Sequence, residues 1–173
     1  SLFDELDRAI NTSDGGYLLG LVSKSNISGS KTENCKGDQD FWIVKIDSLG
    51  NILWDKTLGG TGGEYLDGLS EDASHNFYIG GVSNSNISGD KTENSKGGYD
   101  YWLVKIDYAG TVLWDKTIGG AENEISSDIS YNASDDSIII GGTSLSSNTG
   151  DKTELSRGSA DYWIVKFVSD SLE

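Results

Sequence analysis

The stretch Asp100-Tyr101-Trp102-Leu103-Val104-Lys105-Ile106 decides the fold, because close copies of it stand earlier and later in the chain. The earlier copy is Asp40-Phe41-Trp42-Ile43-Val44-Lys45-Ile46, and the later one is Asp161-Tyr162-Trp163-Ile164-Val165-Lys166-Phe167. The central Trp therefore recurs at spacings of 60 and 61 residues. Self-similarity at a fixed period is the signature of a repeat protein.

The similarity extends outward from this stretch over most of the chain. Ser25-Asn26-Ile27-Ser28-Gly29 recurs as Ser85-Asn86-Ile87-Ser88-Gly89, and a Lys-Thr-Glu triplet follows in all three copies. The 173 residues suit one domain. We predict a single repeat domain with units of approximately 1–63, 64–123 and 124–170, the last of which lacks its fourth strand.

Each unit has the pattern of four antiparallel strands. In the second unit, β-branched and aromatic residues fill residues 65–70, 77–82, 101–106 and 111–117, and polar turns separate them. No segment shows a sustained apolar period of 3.6 residues, so helix is not expected. The 23 glycines fit the many tight turns of an all-β chain.

The strands differ in how much of their surface is apolar. Residues 17–22 and 41–44 are apolar on both faces, whereas residues 52–58 become polar along their length. Strands that are apolar on both faces need a packed layer on each side. Inner strands buried on both faces and a half-exposed outer strand are typical of stacked four-stranded sheets.

These residues resemble a known group of bacterial repeats. The run from Asp100 to Asp107, with Gly110, Trp114 and Gly119-Gly120 after it, is similar to β-propeller repeats of the SBBP type and to related repeats of secreted Bacteroidetes proteins. Asp14-Gly15-Gly16-Tyr17 matches their strand entry, although the second and third units depart from it. The resemblance implies propeller blades, secretion or display on the bacterial cell surface, and no fixed activity.

The number of repeats does not determine whether the sheets form a closed ring. Closed propellers typically have about 4–8 blades, and this chain has three units. Two chains could close a six-bladed ring as a homodimer, or the units could belong to a longer repeat array. A β-trefoil or β-prism, which also uses three four-stranded units, is the alternative fold.

Charge and composition narrow the classes of partner. The formal net charge is −15, from 28 acidic and 13 basic residues, so phosphate backbones are repelled and nucleic acid is not an expected partner. No apolar run approaches 18 residues, which argues against membrane insertion. Cys35 has no second Cys with which to pair, and the absence of Met indicates a processed or excised segment.

A long polar loop between the second and third strands is the main candidate site. It spans about residues 23–39, 83–99 and 144–160, and loops this long inside a compact domain are often functional. Its recurring acids form a candidate ligand-binding face: Glu33, Asp40, Asp90, Glu93, Asp100, Asp151, Glu154 and Asp161.

Three interpretations of these loops stay open. In the structural one, the acids bind loop N–H groups, Lys pairs with a carboxylate, and Gly37, Gly97 and Gly158 supply positive φ. In the second, the acids provide oxygen ligands for Ca²⁺, although no cofactor is required by the sequence. In the third, the Trp of each repeated run forms a platform for a glycan.

No catalytic residues are predicted. The recurring acids behave as structural parts, and the notable residues unique to one unit, His75 and Cys35, have no partner motif. We therefore expect a non-catalytic, secreted or cell-surface binding or scaffold module with a protein or glycan ligand. The alternative is a carbohydrate-binding or accessory domain of an enzyme that acts on polysaccharide.

Overall fold

The structure is a computed structural model that describes residues 3–168 and the backbone of Ser171 and Leu172. The first sheet contains β1 (Asp4–Asn11), β2 (Tyr17–Ser23), β3 (Asp40–Ile46) and β4 (Ile52–Leu58). The second contains β5 (Glu64–Glu71), β6 (Phe77–Ser83), β7 (Asp100–Ile106) and β8 (Val112–Ile118). The third contains β9 (Glu124–Asn132), β10 (Ser137–Ser144), β11 (Asp161–Val168) and the two-residue β12 (Ser171–Leu172).

The all-β class is confirmed, and the four strands predicted for the second unit are present with ends that differ by one residue. Each sheet is an antiparallel meander whose strands neighbour one another in chain order. The first strand of each sheet carries a register shift, at Asp7, Asp67 and Ser127. In the third sheet, β12 pairs with β11 through two residues, at the position where the other sheets have a full-length strand.

The sheets are stacked face to face in chain order. One apolar cluster fills the junction between the first and second sheets, and another fills the junction between the second and third. Between the first and third sheets, the described residues make only sparse contact, such as the bond from Arg8 to the carbonyl of Ser127 at 3.4 Å. The described sheets therefore form an open stack, without a closed barrel or ring.

Both junctions use the same aromatic contact. Phe41 of β3 packs on Trp102 of the second sheet with ring centroids 5.2 Å apart, and Tyr101 of β7 packs on Trp163 of the third at 5.4 Å. Phe41, Tyr101 and Trp102 are fully buried. Burial of one such side chain contributes about 1.5–3 kcal/mol, so the junctions supply much of the stability.

Close approach of the sheets requires glycine at one position of the second strand. A Cβ at Gly80 would collide with the side chain of Ile129 across the second junction. Gly20 occupies the same place in the first junction, where a Cβ would press on Leu66. The glycine that follows Leu19 in β2 and Ile79 in β6 thus reflects packing between sheets.

Candidate functional site

The long loops of the first two units have the same backbone conformation. Ser28 and Lys31 exchange two backbone hydrogen bonds, of 3.2 and 3.0 Å, and Ser88 and Lys91 do the same. The tight turn inside each pair needs a left-handed residue, which Gly29 and its counterpart supply at φ of 56° and 57°. The loops are therefore built by local bonding that the sequence repeats.

The Lys of each Lys-Thr-Glu triplet is buried. Lys31 donates to the hydroxyl of Thr57 and lies over the Trp42 ring, with its Nζ 5.4 Å from the centroid. Lys91 lies in the same way over Trp102, at 6.0 Å. Burial lowers the pKa of both lysines. Since a lysine occupies one face of each of these Trp rings, those faces are not free to stack on a glycan.

The Glu of the first two Lys-Thr-Glu triplets fixes the end of the fourth strand. Glu93 accepts a bond from Lys116 Nζ at 2.6 Å and one from the N–H of Thr117 at 2.9 Å. Burial opposes ionisation of this carboxyl, but these two donors lower its pKa. Glu33 makes the equivalent bonds in the first sheet. Glu154, the counterpart in the third loop, is exposed.

The Asp directly before the Lys-Thr-Glu triplet in the second and third loops ties one sheet to the preceding one. Asp90 of the second loop forms an ion pair with Lys36 of the first loop and accepts a bond from the N–H of Gly59 at 3.0 Å. Asp151 pairs with Lys96 and accepts the N–H of Gly119 at 3.0 Å in the same way at the second junction. These ion pairs are partly exposed, so each contributes about 1 kcal/mol at most.

The acid that begins the third strand faces a second carboxyl across the junction. Asp40 is fully buried; its Oδ2 accepts the N–H of Lys36 at 2.5 Å, whereas its Oδ1 has no hydrogen-bond donor among the described residues. A Cβ built on Gly59 would touch both this Oδ1 and Oε2 of Glu64, so the two carboxyl groups converge on one point. Burial, and then the charge of Asp40, raises the pKa of Glu64 to about 7. When Glu64 carries a proton, it can act as the donor that Asp40 Oδ1 otherwise lacks.

The second junction repeats this carboxyl pair. Asp100 is fully buried, and its Oδ1 likewise has no donor in the described part of the chain. Burial, together with the nearby carboxyl group of Asp100, raises the pKa of Glu124. Two serine hydroxyls of the second strand and the next loop, Ser144 and Ser146, donate to Oε1 of Glu124. The other carboxyl oxygen of Glu124, Oε2, accepts the N–H of Gly120 at 3.0 Å.

The third unit has the corresponding acid without a following sheet. Asp161 is half-buried and accepts the N–H of Arg157 at 2.9 Å. All the predicted site acids except Glu154 therefore bind the protein's own donors at repeated positions, rather than converging on one point. Within the described ranges, no group of three or more His, Cys, Asp or Glu side chains is arranged to hold a metal ion.

The prediction that Gly37 and Gly97 supply positive φ was wrong. Neither residue has positive φ. A Cβ at Gly37 would instead collide with the carbonyl oxygen of Gly62, and one at Gly97 with that of Gly120. Glycine is needed here because two backbone segments touch. Gly158 also lacks positive φ, and a Cβ there would meet open space.

At the end of the first junction away from the long loops, the turns between the first and second strands bring three polar residues together: Ser13, His75 and Glu71. The Ser13 hydroxyl lies 2.7 Å from His75 Nδ1 and donates to Glu71 at 2.5 Å, and the same Nδ1 lies 3.3 Å from Glu71. In a catalytic triad, the two ring nitrogens of His bind the nucleophile and the acid separately. Here one nitrogen faces both, so the cluster joins two turns instead.

A groove between the first strands is the feature that sequence reasoning missed. Tyr65, Leu66 and Asp67 line a cavity of about 470 Å³ between the first and second sheets, and Tyr65, Asp67 and Tyr99 line one of about 370 Å³ at the next junction. The Tyr65 and Tyr99 rings meet edge to face at 5.5 Å. Burial raises the pKa of Asp67. The feature of the sequence that could have revealed this groove is the recurrence of Asp7 as Asp67 at the repeat spacing.

Comparison with known proteins gives a partial match. No family model matches the chain. A regulatory protein, FlaEY of Caulobacter vibrioides, is 28% identical over 106 residues, which is 59% of this chain and 11% of that protein. The similarity thus concerns a small segment of a much longer protein. Among the described residues there is also no helix that is long and apolar enough to cross a membrane.

Proposed function

We propose that the chain is a non-catalytic binding or scaffold module, built from β-propeller-like blades and acting outside the cell or on a bacterial surface. The observation that carries this proposal is the use of the recurring loop acids at both junctions. Asp40, Asp90 and Glu93 each bind the protein's own N–H groups. Acids used in this way hold a framework together and leave few groups free for chemistry.

The blade assignment is supported by the stacking of the sheets. Four-stranded meanders that pack face to face, with the first strands of successive sheets next to one another, are the arrangement of propeller blades. No cofactor forms part of the proposal, and bound Ca²⁺ is its alternative.

A glycan ligand is the second candidate, and the groove between the first strands favours it. Tyr65 is 47% exposed and lies beside Asp67, so an apolar ring and a carboxyl oxygen face the same cavity. Ligand sites are commonly apolar clefts with a few well-placed polar groups. This combination suits a sugar, which presents both C–H faces and hydroxyls.

Incubation of the chain with a panel of bacterial and plant polysaccharides tests the proposal. We expect no release of reducing ends above that seen with heat-unfolded protein, and a melting temperature that is the same in Ca²⁺ and in EDTA. Release of reducing ends that is lost in Asp67→Asn would overturn the non-catalytic assignment. Glycan binding that is lost in Tyr65→Ala but kept in Glu154→Gln would establish the glycan alternative.

A further inference from the structure

The outer face of the third sheet is an unpaired copy of a buried surface. Ile139, Tyr162 and Ile164 are 40%, 86% and 62% exposed on this face, which we call the trailing face. Their counterparts in the second sheet, Tyr78, Tyr101 and Leu103, are at most 4% exposed, because the third sheet covers them. The trailing face therefore has the composition of a sheet face that packs on another sheet, but no sheet of the described chain covers it.

The outer face of the first sheet is the complementary half of that junction. Leu6 and Tyr17 are 56% and 42% exposed on this face, which we call the leading face. Their counterparts in the second sheet, Leu66 and Phe77, are buried against the first sheet. Apolar patches of this kind on a stable protein mark interaction sites.

The aromatic contact shows which residues would meet. At each internal junction, the aromatic residue after the buried Asp packs on the Trp of the next sheet. Among the described residues, two members of that pattern have no aromatic partner from a neighbouring sheet: Tyr162 on the trailing face and Trp42 on the leading face. Trp42 is only half-buried, whereas Trp102 is fully buried.

The polar residues of the trailing and leading faces also match those of the internal junctions, with one exception. Asp161 occupies the place of Asp100 on the trailing side, and Asp4 occupies the place of Glu124 on the leading side, where it accepts bonds from Ser23 and Ser25. The exception is Ser30, which stands where the other loops have the Asp of the junction ion pair. The apolar surfaces, rather than that ion pair, would therefore carry the contact.

We propose that two copies of this chain associate head to tail, with the trailing face of each copy on the leading face of the other. Two such contacts close a ring of six sheets, which lies within the range of about 4–8 blades found in propellers. We expect a second copy of the chain to cover these faces because each chain carries both halves of the junction. The inference rests on the blade architecture of the proposed function and not on its binding role.

Solution mass from light scattering on a sizing column tests the inference. We expect twice the 18.6 kDa mass of the chain for the unaltered protein. Tyr162→Asp and Leu6→Asp each place a charge on one exposed face and should weaken the dimer by roughly 30-fold or more. Leu49→Asp is the matched control, since Leu49 is 86% exposed in a turn and should leave the dimer intact.

Mixing the two face variants identifies the geometry. A Tyr162→Asp chain keeps its leading face and a Leu6→Asp chain keeps its trailing face, so an equimolar mixture should recover a dimer through one intact contact. A contact between two trailing faces would instead be broken by Tyr162→Asp and left intact by Leu6→Asp, so the Leu6→Asp chain would still form a dimer without mixing. That result, or a monomeric unaltered chain, would overturn the inference while the polysaccharide assays still decide the proposed function.

Discussion

Replacement of Glu64 by Gln tests the buried carboxyl pair of the first junction. The pKa of Glu64 is raised from 4.5 to about 7 by burial and by Asp40, so the folded protein holds a proton that the unfolded chain releases above pH 4.5. Stability from this group is therefore fully present below pH 4.5 and is lost as the pH rises toward 7. Gln carries no charge at any of these pH values and removes the dependence.

The shift in pKa sets the size of the effect. A difference of about 2.5 pH units between folded and unfolded states corresponds to about 3 kcal/mol. Between pH 4.5 and pH 8, the free energy of unfolding of Glu64→Gln relative to the unaltered protein should rise by about this amount. A constant offset from imperfect hydrogen bonds of the amide does not alter this change with pH.

Urea unfolding at a series of pH values, followed by the fluorescence of the five Trp residues, measures that difference. Glu93→Gln is the control, because contact with Lys116 lowers the pKa of Glu93 despite its burial, and removing that carboxylate gives no gain at high pH. Parallel profiles for Glu64→Gln and the unaltered protein would refute the proton-sharing pair.

Two further predictions concern packing. Leu103→Ala removes a fully buried side chain at the second junction and should lower the free energy of unfolding by about 2–5 kcal/mol in urea titrations, whereas Leu53→Ala, at a 51% exposed position of β4, should change it by less than about 0.5 kcal/mol. Gly37→Ala should lower the melting temperature, at a cost of about 1–3 kcal/mol, because its methyl group meets the carbonyl of Gly62. Gly158→Ala, at which a Cβ meets open space, should leave the melting temperature unchanged or higher; equal losses for both variants would contradict the close-contact explanation.

The strands were predictable because runs of β-branched and aromatic residues are bounded by turn residues. The Trp102 run and its flanking turns placed β7 and β8 to within a residue. The repeat also shows which positions are equivalent. It does not show that the residues on one face of β3 meet the Trp of the next unit, since that contact depends on how two sheets stack.

The loop chemistry was harder to predict because residue type suggested exposure. Lys91 belongs to a class that is seldom buried, yet it is 2% exposed beneath Trp102. Glu64 and Glu124 were missed as partners of the Asp residues, although both stand at the start of a unit at the repeat spacing. Their pairing crosses a unit boundary, and a local pattern does not reveal such a contact.

The junction between neighbouring sheets has a direction, since an aromatic residue on one side always meets a Trp on the other. A duplicated unit inserted between the second and third sheets would find the surfaces it needs on both sides. The fold can thus gain or lose whole units of about 60 residues through recombination of the gene. Each duplicated unit would carry both junction surfaces that it needs to pack on its neighbours.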